Sequence, residues 1–162
     1  MQRGLEVATP TDTTIVMKRT FDAPRELVFE AMTDPALIPK WIFSPPGWTM
    51  TTCEGELRVG GKYRWEWSDE NGVPALTIHG QNLEVDAPRR IVHTETMEMG
   101  SCGPIGTLVS AVDLEEEGGR THMTMTLTFD SKEARDGAIQ SGMAQGMEAG
   151  YQQMDALLAE SA

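Results

Sequence analysis

The last thirty residues carry the chain's one long helical pattern, and most of what precedes them alternates with the period of a strand. That order leaves few folds: a sheet with an apolar face, and one helix long enough to cover it. From about Ser131 to Glu160, Met143, Met147, Tyr151, Met154 and Leu158 recur at spacings of three and four and share one stripe. Gly142, Gly146 and Gly150 lie on its flank, each one position ahead of Met143, Met147 or Tyr151. A glycine inside a helix costs about 1 kcal/mol against alanine, so the set costs about 3 kcal/mol. Either another backbone approaches closely along this flank, or the missing side chains leave room beside methionines that adapt to irregular surroundings. A Met-filled core with tight helix–sheet packing is the competing explanation.

The strand pattern is clearest in Thr121–Phe129, where Met123, Met125, Leu127 and Phe129 alternate with His122, Thr124, Thr126 and Thr128. Thr13–Phe21 alternates through Ile15, Met17 and Phe21. Lys62–Trp67 sets Tyr63, Trp65 and Trp67 against Arg64 and Glu66, and Asn71-Gly72 then signals a hairpin. Residues 74–86 change phase between Leu76/Ile78 and Leu83/Val85, so a bulge is expected near Gly80. Residues 90–97 and 108–114 complete the strands, with 100–106 as a loop. Pro24 opens a short helix with Leu27, Val28, Ala31 and Met32 on its apolar face, and a second runs from Pro35 to Trp41. Residues 1–12 read as a flexible polar segment and 13–160 as one domain. The sequential hairpins make the sheet antiparallel and the class α+β, with residues 131–159 as one helix on the concave face. Helix and sheet can diverge at one end, and a cavity there would be lined from both sides.

Charge narrows the partners. Lys and Arg total 13 against 25 Asp and Glu, a formal net charge of −12. That field repels phosphate backbones and anionic lipid surfaces, so no nucleic-acid partner is expected. No apolar run is long enough for a membrane span, and the N-terminus lacks the apolar stretch of a signal peptide. The expected setting is the cytoplasm, without membrane insertion. Cys53 and Cys102 are too few and too isolated for a disulfide framework, and neither has an obvious activating partner.

Several segments resemble one family. These are Phe21-Asp22-Ala23-Pro24-Arg25-Glu26-Leu27-Val28-Phe29-Glu30-Ala31, then Glu56-Leu57-Arg58-Val59-Gly60-Gly61-Lys62-Tyr63-Arg64, then His79-Gly80-Gln81-Asn82-Leu83-Glu84-Val85 with Pro88-Arg89-Arg90-Ile91-Val92, and last Ser141-Gly142-Met143 through Gly150-Tyr151. Over about residues 14–158 they are similar to the family related to the C-terminal domain of the activator of the heat-shock protein Hsp-ninety ATPase. That family belongs to the START / Bet-v-like (SRPBCC) helix-grip superfamily. The resemblance implies a curved antiparallel sheet gripping the C-terminal helix over a hydrophobic cavity, with two short helices after the first strand. It implies no single chemistry, because superfamily members bind lipids and hormones, cyclise polyketides or bind partner proteins. Asn82 stands where the family usually has an aromatic, and Tyr151 where many members carry Trp.

The expected site lies between sheet and helix, lined by Trp65, Trp67, Met123, Met125, Met143, Met147 and Tyr151, with His79 as a polar contact. Trp41 and Trp48 flank a Pro-Pro-Gly loop and are expected at the cavity mouth. His79 and Glu84 are the candidates for general acid or base, against the alternatives of a surface histidine and a structural ion pair. The three histidines show no metal-ligand spacing, and Gly60-Gly61 lacks the Lys-Ser/Thr element of a phosphate loop, so neither metal nor cofactor is expected. The leading function is binding of a small apolar or amphipathic molecule. An enzyme of cyclase or hydrolase type in the same cavity, and a chaperone-associated interaction module, are the alternatives; a homodimer stays open.

Overall fold

A computed structural model describes residues 4–100 and 104–161. Its strands are β1 (Glu6–Ala8), β2 (Thr14–Phe21), β3 (Thr49–Gly55), β4 (Lys62–Ser68), β5 (Pro74–Asp86), β6 (Arg90–Met99), β7 (Pro104–Glu117) and β8 (Arg120–Phe129). Helices α1 (Arg25–Thr33) and α2 (Ile38–Trp41) follow β2, and α3 (Lys132–Gln140) and α4 (Met143–Ser161) end the chain. The strands form one antiparallel sheet in the order β1-β2-β8-β7-β6-β5-β4-β3. Sequence neighbours pair as hairpins from β3 to β8, and β2 joins β8 with Ile15 opposite Leu127 and Met17 opposite Met125. In β8, Thr121, Met123, Met125, Leu127 and Phe129 are buried and the residues between them are not, as a two-residue period requires.

The C-terminal helix is two helices. Gly142 has φ +82°, a conformation that costs side-chain-bearing residues dearly, and its N–H turns back to the Ile139 carbonyl. Its own carbonyl then accepts from Gly146 N, so helical bonding restarts one residue before α4. Gly142 is therefore a break, and only Gly146 and Gly150 form the flank expected of all three. Ser131 caps α3 by accepting from Ala134 N at 3.0 Å.

Three strand details also differ from expectation. The register shift in β5 falls between Asn82 and Glu84, beyond Gly80. Asn82 is buried with Ile78, while Leu83 turns outward at 46% exposure. Gly80 has another role: a Cβ there would collide with the Thr94 carbonyl, so its absence permits close strand approach. β3 carries polar residues on both faces and has no periodicity to announce it; its pairing to β4 defines it. Residues 6–8, expected within a flexible leader, add β1 to the edge of β2, and Leu5 N donates to the Glu148 carboxylate at 2.9 Å.

The concave face holds the core. Ile15, Met17 and Phe21 of β2 and Leu114 of β7 pack with Val28 of α1 and with Met154 and Leu158 of α4. Arg19 sits in the same row of β2, its side chain only 2% exposed. It donates to Glu148 at 2.9 Å and to Asp155 at 2.9 Å, and its guanidinium lies over the rings of Phe21 and Tyr151. Two turns of α4 are thereby clamped to β2. The far half of α4 is seated on the sheet through fully buried Met154, and the near half stands over open space.

Candidate functional site

That open space is a cavity of about 440 Å³ between the concave face of β4–β8, the first half of α4, and the α2 segment with the residues after it. Each wall follows from a local pattern. β4 and β5 present Trp65, Trp67, Leu76 and Ile78, alternate residues on one face. Met125 and Leu127 extend that floor from β8, and Met143, Met147 and Tyr151 form the roof, one helical turn apart.

The glycine flank explains the third wall. A Cβ on Gly150 would lie 3.1 Å from Phe43 N and 3.2 Å from the Trp41 carbonyl oxygen, so the backbone after α2 crosses α4 at that point. At Gly146 a Cβ would meet only the Phe43 ring, at 3.4 Å. Trp41 is held from two sides: its indole N–H donates to the Ala31 carbonyl at 2.7 Å, and its ring stacks on Tyr151 at 5.8 Å. Trp67 is fixed by donating to Ser44 Oγ at 2.8 Å. Pinned aromatic rings keep the space from collapsing.

One strip of the floor is polar. Asn82 on β5 pairs with His93 on β6, and His93 pairs with Ser110 on β7, so three polar side chains cross the sheet in one row. Glu95, two residues along β6, faces the same space, with Oε1 3.6 Å from His93 Nε2. The Tyr63 ring meets His93 edge-on at 5.0 Å, and its hydroxyl donates to the Thr94 carbonyl at 2.7 Å. Burial, and then the Glu95 charge, pushes the Tyr63 phenol well above its ordinary range. Burial raises Tyr151 too; Arg19 opposes that shift, while Glu95 and Glu148 add to it. Asn82 donates to the Glu56 carbonyl at 2.9 Å, and Glu54 and Glu56 stand exposed at the rim.

Of the residues expected at the site, Trp41, Trp65, Trp67, Met125, Met143, Met147 and Tyr151 lie on this lining. Met123 does not: it is buried in the core at 1% exposure. Trp48 is half-buried in the loop before β3, away from the cavity. His79 faces the outer side of the sheet, because Leu76 and Ile78 occupy the inner phase of β5 and the bulge comes only after it. There its Nε2 meets Glu98 Oε2 at 2.6 Å. Glu84 sits at the bulge, 53% exposed, and pairs with Arg90 Nε at 3.1 Å. Neither residue can act on a molecule in the cavity. Burial, with the Asp34 charge adding, pushes the Cys53 thiol up to about 11, so it is no activated nucleophile; Cys102 lies outside the described residues.

His93, Glu95, Ser110 and Arg19 escaped the sequence reading. The signal for two of them is the phase of β6, where His93 and Glu95 fall in step with Ile91 and Met97. A stripe that mixes imidazole and carboxylate with apolar residues does not declare its face. Ser110 and Arg19 offer no local signal.

Known proteins share this architecture. A Rhodobacter sphaeroides protein of known structure is 30% identical, with a TM-score of 0.89 over 97% of this chain and 99% of its own. An Arthrobacter aurescens protein is 28% identical, with a TM-score of 0.80 over 96% of this chain and 91% of its own. A Mycobacterium smegmatis protein, 24% identical, shares the fold with a TM-score of 0.80 over 94% of this chain and 95% of its own. A search of curated proteins found no match. The description "Activator of Hsp90 ATPase homolog 1-like protein" matches residues 22–159. With that match spanning sheet, short helices and α4, the chain belongs to the Activator of Hsp90 ATPase homolog 1-like family, within the SRPBCC helix-grip superfamily.

Proposed function

We propose that the protein binds a small apolar or amphipathic molecule in the cavity between the sheet and α4. The observation that carries this reading is the cavity itself: about 440 Å³, walled by tryptophan, methionine and aliphatic side chains, with one polar strip on the floor and Glu54 and Glu56 at the rim. Pockets for small molecules share that size and that division of labour between apolar walls and few polar contacts. The methionines of the roof suit ligands of variable shape. Binding at micromolar strength corresponds to about −8 kcal/mol. Tryptophan fluorescence titration and native mass spectrometry against an apolar library should detect it. Gly146→Leu, which places a bulky side chain at the wall, should weaken binding at least tenfold, on the order of 1.4 kcal/mol, while the fold survives. Uniform silence from the wild-type protein would sink the proposal.

A reaction in the same cavity has one observation in its favour. His93 and Glu95 supply a proton acceptor pair beside the apolar walls, the position that His79 and Glu84 do not occupy. A general acid or base there would contribute about 10²–10⁴-fold in rate. Turnover of any substrate that survives His93→Ala unchanged would dismiss this reading. A chaperone partner rests on family membership alone.

A further inference from the structure

We infer that the cavity selects an amphipathic cation, a long-chain amine, over a fatty acid. This inference rests on the binding reading above and specifies the head group that site takes. Its ground is the inventory of charge on the lining: Glu54, Glu56, Glu95 and His93, with no lysine or arginine among the described lining residues. A fatty-acid carboxylate would enter as a further negative charge with no lysine or arginine of the described lining to meet it. An ammonium meets an acceptor at the rim and another on the floor.

Two inner groups make no side-chain hydrogen bond among the described residues. Glu95 has only 18% of its side chain exposed, and among the described residues its carboxylate accepts no hydrogen bond; His93 Nε2 at 3.6 Å is beyond bonding distance. A half-buried carboxyl group that accepts no hydrogen bond has open acceptor sites, and an ammonium brings three donors. Ser110 is 2% exposed, lines the cavity opposite His93, and makes no side-chain hydrogen bond among the described residues. Its hydroxyl offers a second acceptor beside the same strip. The net charge of −12 raises the local concentration of cations over anions. The opposing feature is the first turn of α4, whose N–H groups open beside the cavity at Met143 and favour an anion. That turn lies at the roof, and the half-buried Glu95 carboxylate lies on the floor.

Decylamine, 1-decanol and decanoate share one chain length and differ in head group. Titrated below their aggregation limits by tryptophan fluorescence, with native mass spectrometry for stoichiometry, decylamine should bind at least about tenfold more tightly than decanol. Decanoate should be the weakest. Glu95→Gln should abolish the amine preference, bringing decylamine affinity to within about twofold of that for decanol in the same variant. Equal affinity for all three in the wild-type protein, or a preference for decanoate, would overturn the head-group inference and leave cavity binding standing. An amine preference that persists in Glu95→Gln would overturn the role of Glu95. Silence from all three would overturn the binding reading itself. The wild-type ranking decides the inference even if the variant does not fold.

Discussion

One methyl group added at Gly150 should destabilise the protein, and the same group added at Gly146, four residues earlier on α4, should stabilise it. Both substitutions gain about 1 kcal/mol of helix propensity when glycine becomes alanine. They differ in what the new Cβ meets. At Gly150 it would lie 3.1 Å from Phe43 N and 3.2 Å from the Trp41 carbonyl oxygen, inside ordinary contact distance of two backbone atoms. Those atoms cannot retreat cheaply, because Trp41 is anchored to Ala31 at 2.7 Å and stacked on Tyr151. Overpacking of this kind costs about 1–3 kcal/mol, which leaves Gly150→Ala with a net loss of about 1 kcal/mol after the propensity gain. At Gly146 the Cβ would touch the Phe43 ring at 3.4 Å, an ordinary contact, and that residue is 40% exposed and has room to shift. Gly146→Ala should therefore keep a gain of about 0.5–1 kcal/mol. In a domain of this size 1 kcal/mol moves the melting temperature by about 2–4 °C. Urea unfolding followed by far-UV circular dichroism resolves both shifts. Equal effects in both variants would refute the assignment of a backbone crossing at Gly150 alone.

Acid should find the α4 clamp. The hydrogen bonds from Arg19 hold the Glu148 carboxyl below the usual carboxylate range against the opposing effect of burial, with Gln152 assisting. Because the folded value is depressed, the stabilisation is complete above the unfolded carboxylate range and is lost as pH falls through the folded value. Glu148→Gln should lower stability at pH 7 by about 1–3 kcal/mol and flatten the decline on acidification, read from urea midpoints across that range. An unchanged acid profile would remove Glu148 from the account. Cys53 should be sluggish: with its thiol at about 11, alkylation by iodoacetamide at neutral pH in a Cys102→Ser background should run well below the rate of a free thiol. Rapid alkylation would show that burial does not suppress the Cys53 thiolate.

The parts of this protein legible in its sequence are those that depend on neighbours along the chain. The two-residue period of Thr121–Phe129 assigns its inner and outer faces, because successive side chains on a strand must point to opposite sides. The stripe through Tyr151, Met154 and Leu158 assigns the inner face of α4 for the corresponding reason. Gly150 announced a close approach by its cost, though not what approaches. Tertiary structure decided the rest. Gly142 reads as one more helical glycine, and only its left-handed conformation makes it a break. β3 exists because β4 offers it an edge. The site turned on register: the bulge in β5 comes after His79 and leaves it outside, while the pairing of Asn82, His93 and Ser110 across three strands gathers polar groups from distant positions into one row. A strand such as β6, whose inner phase mixes His93 and Glu95 with Ile91 and Met97, does not declare which phase will face a helix, because that is settled by strands and helices it meets only on folding.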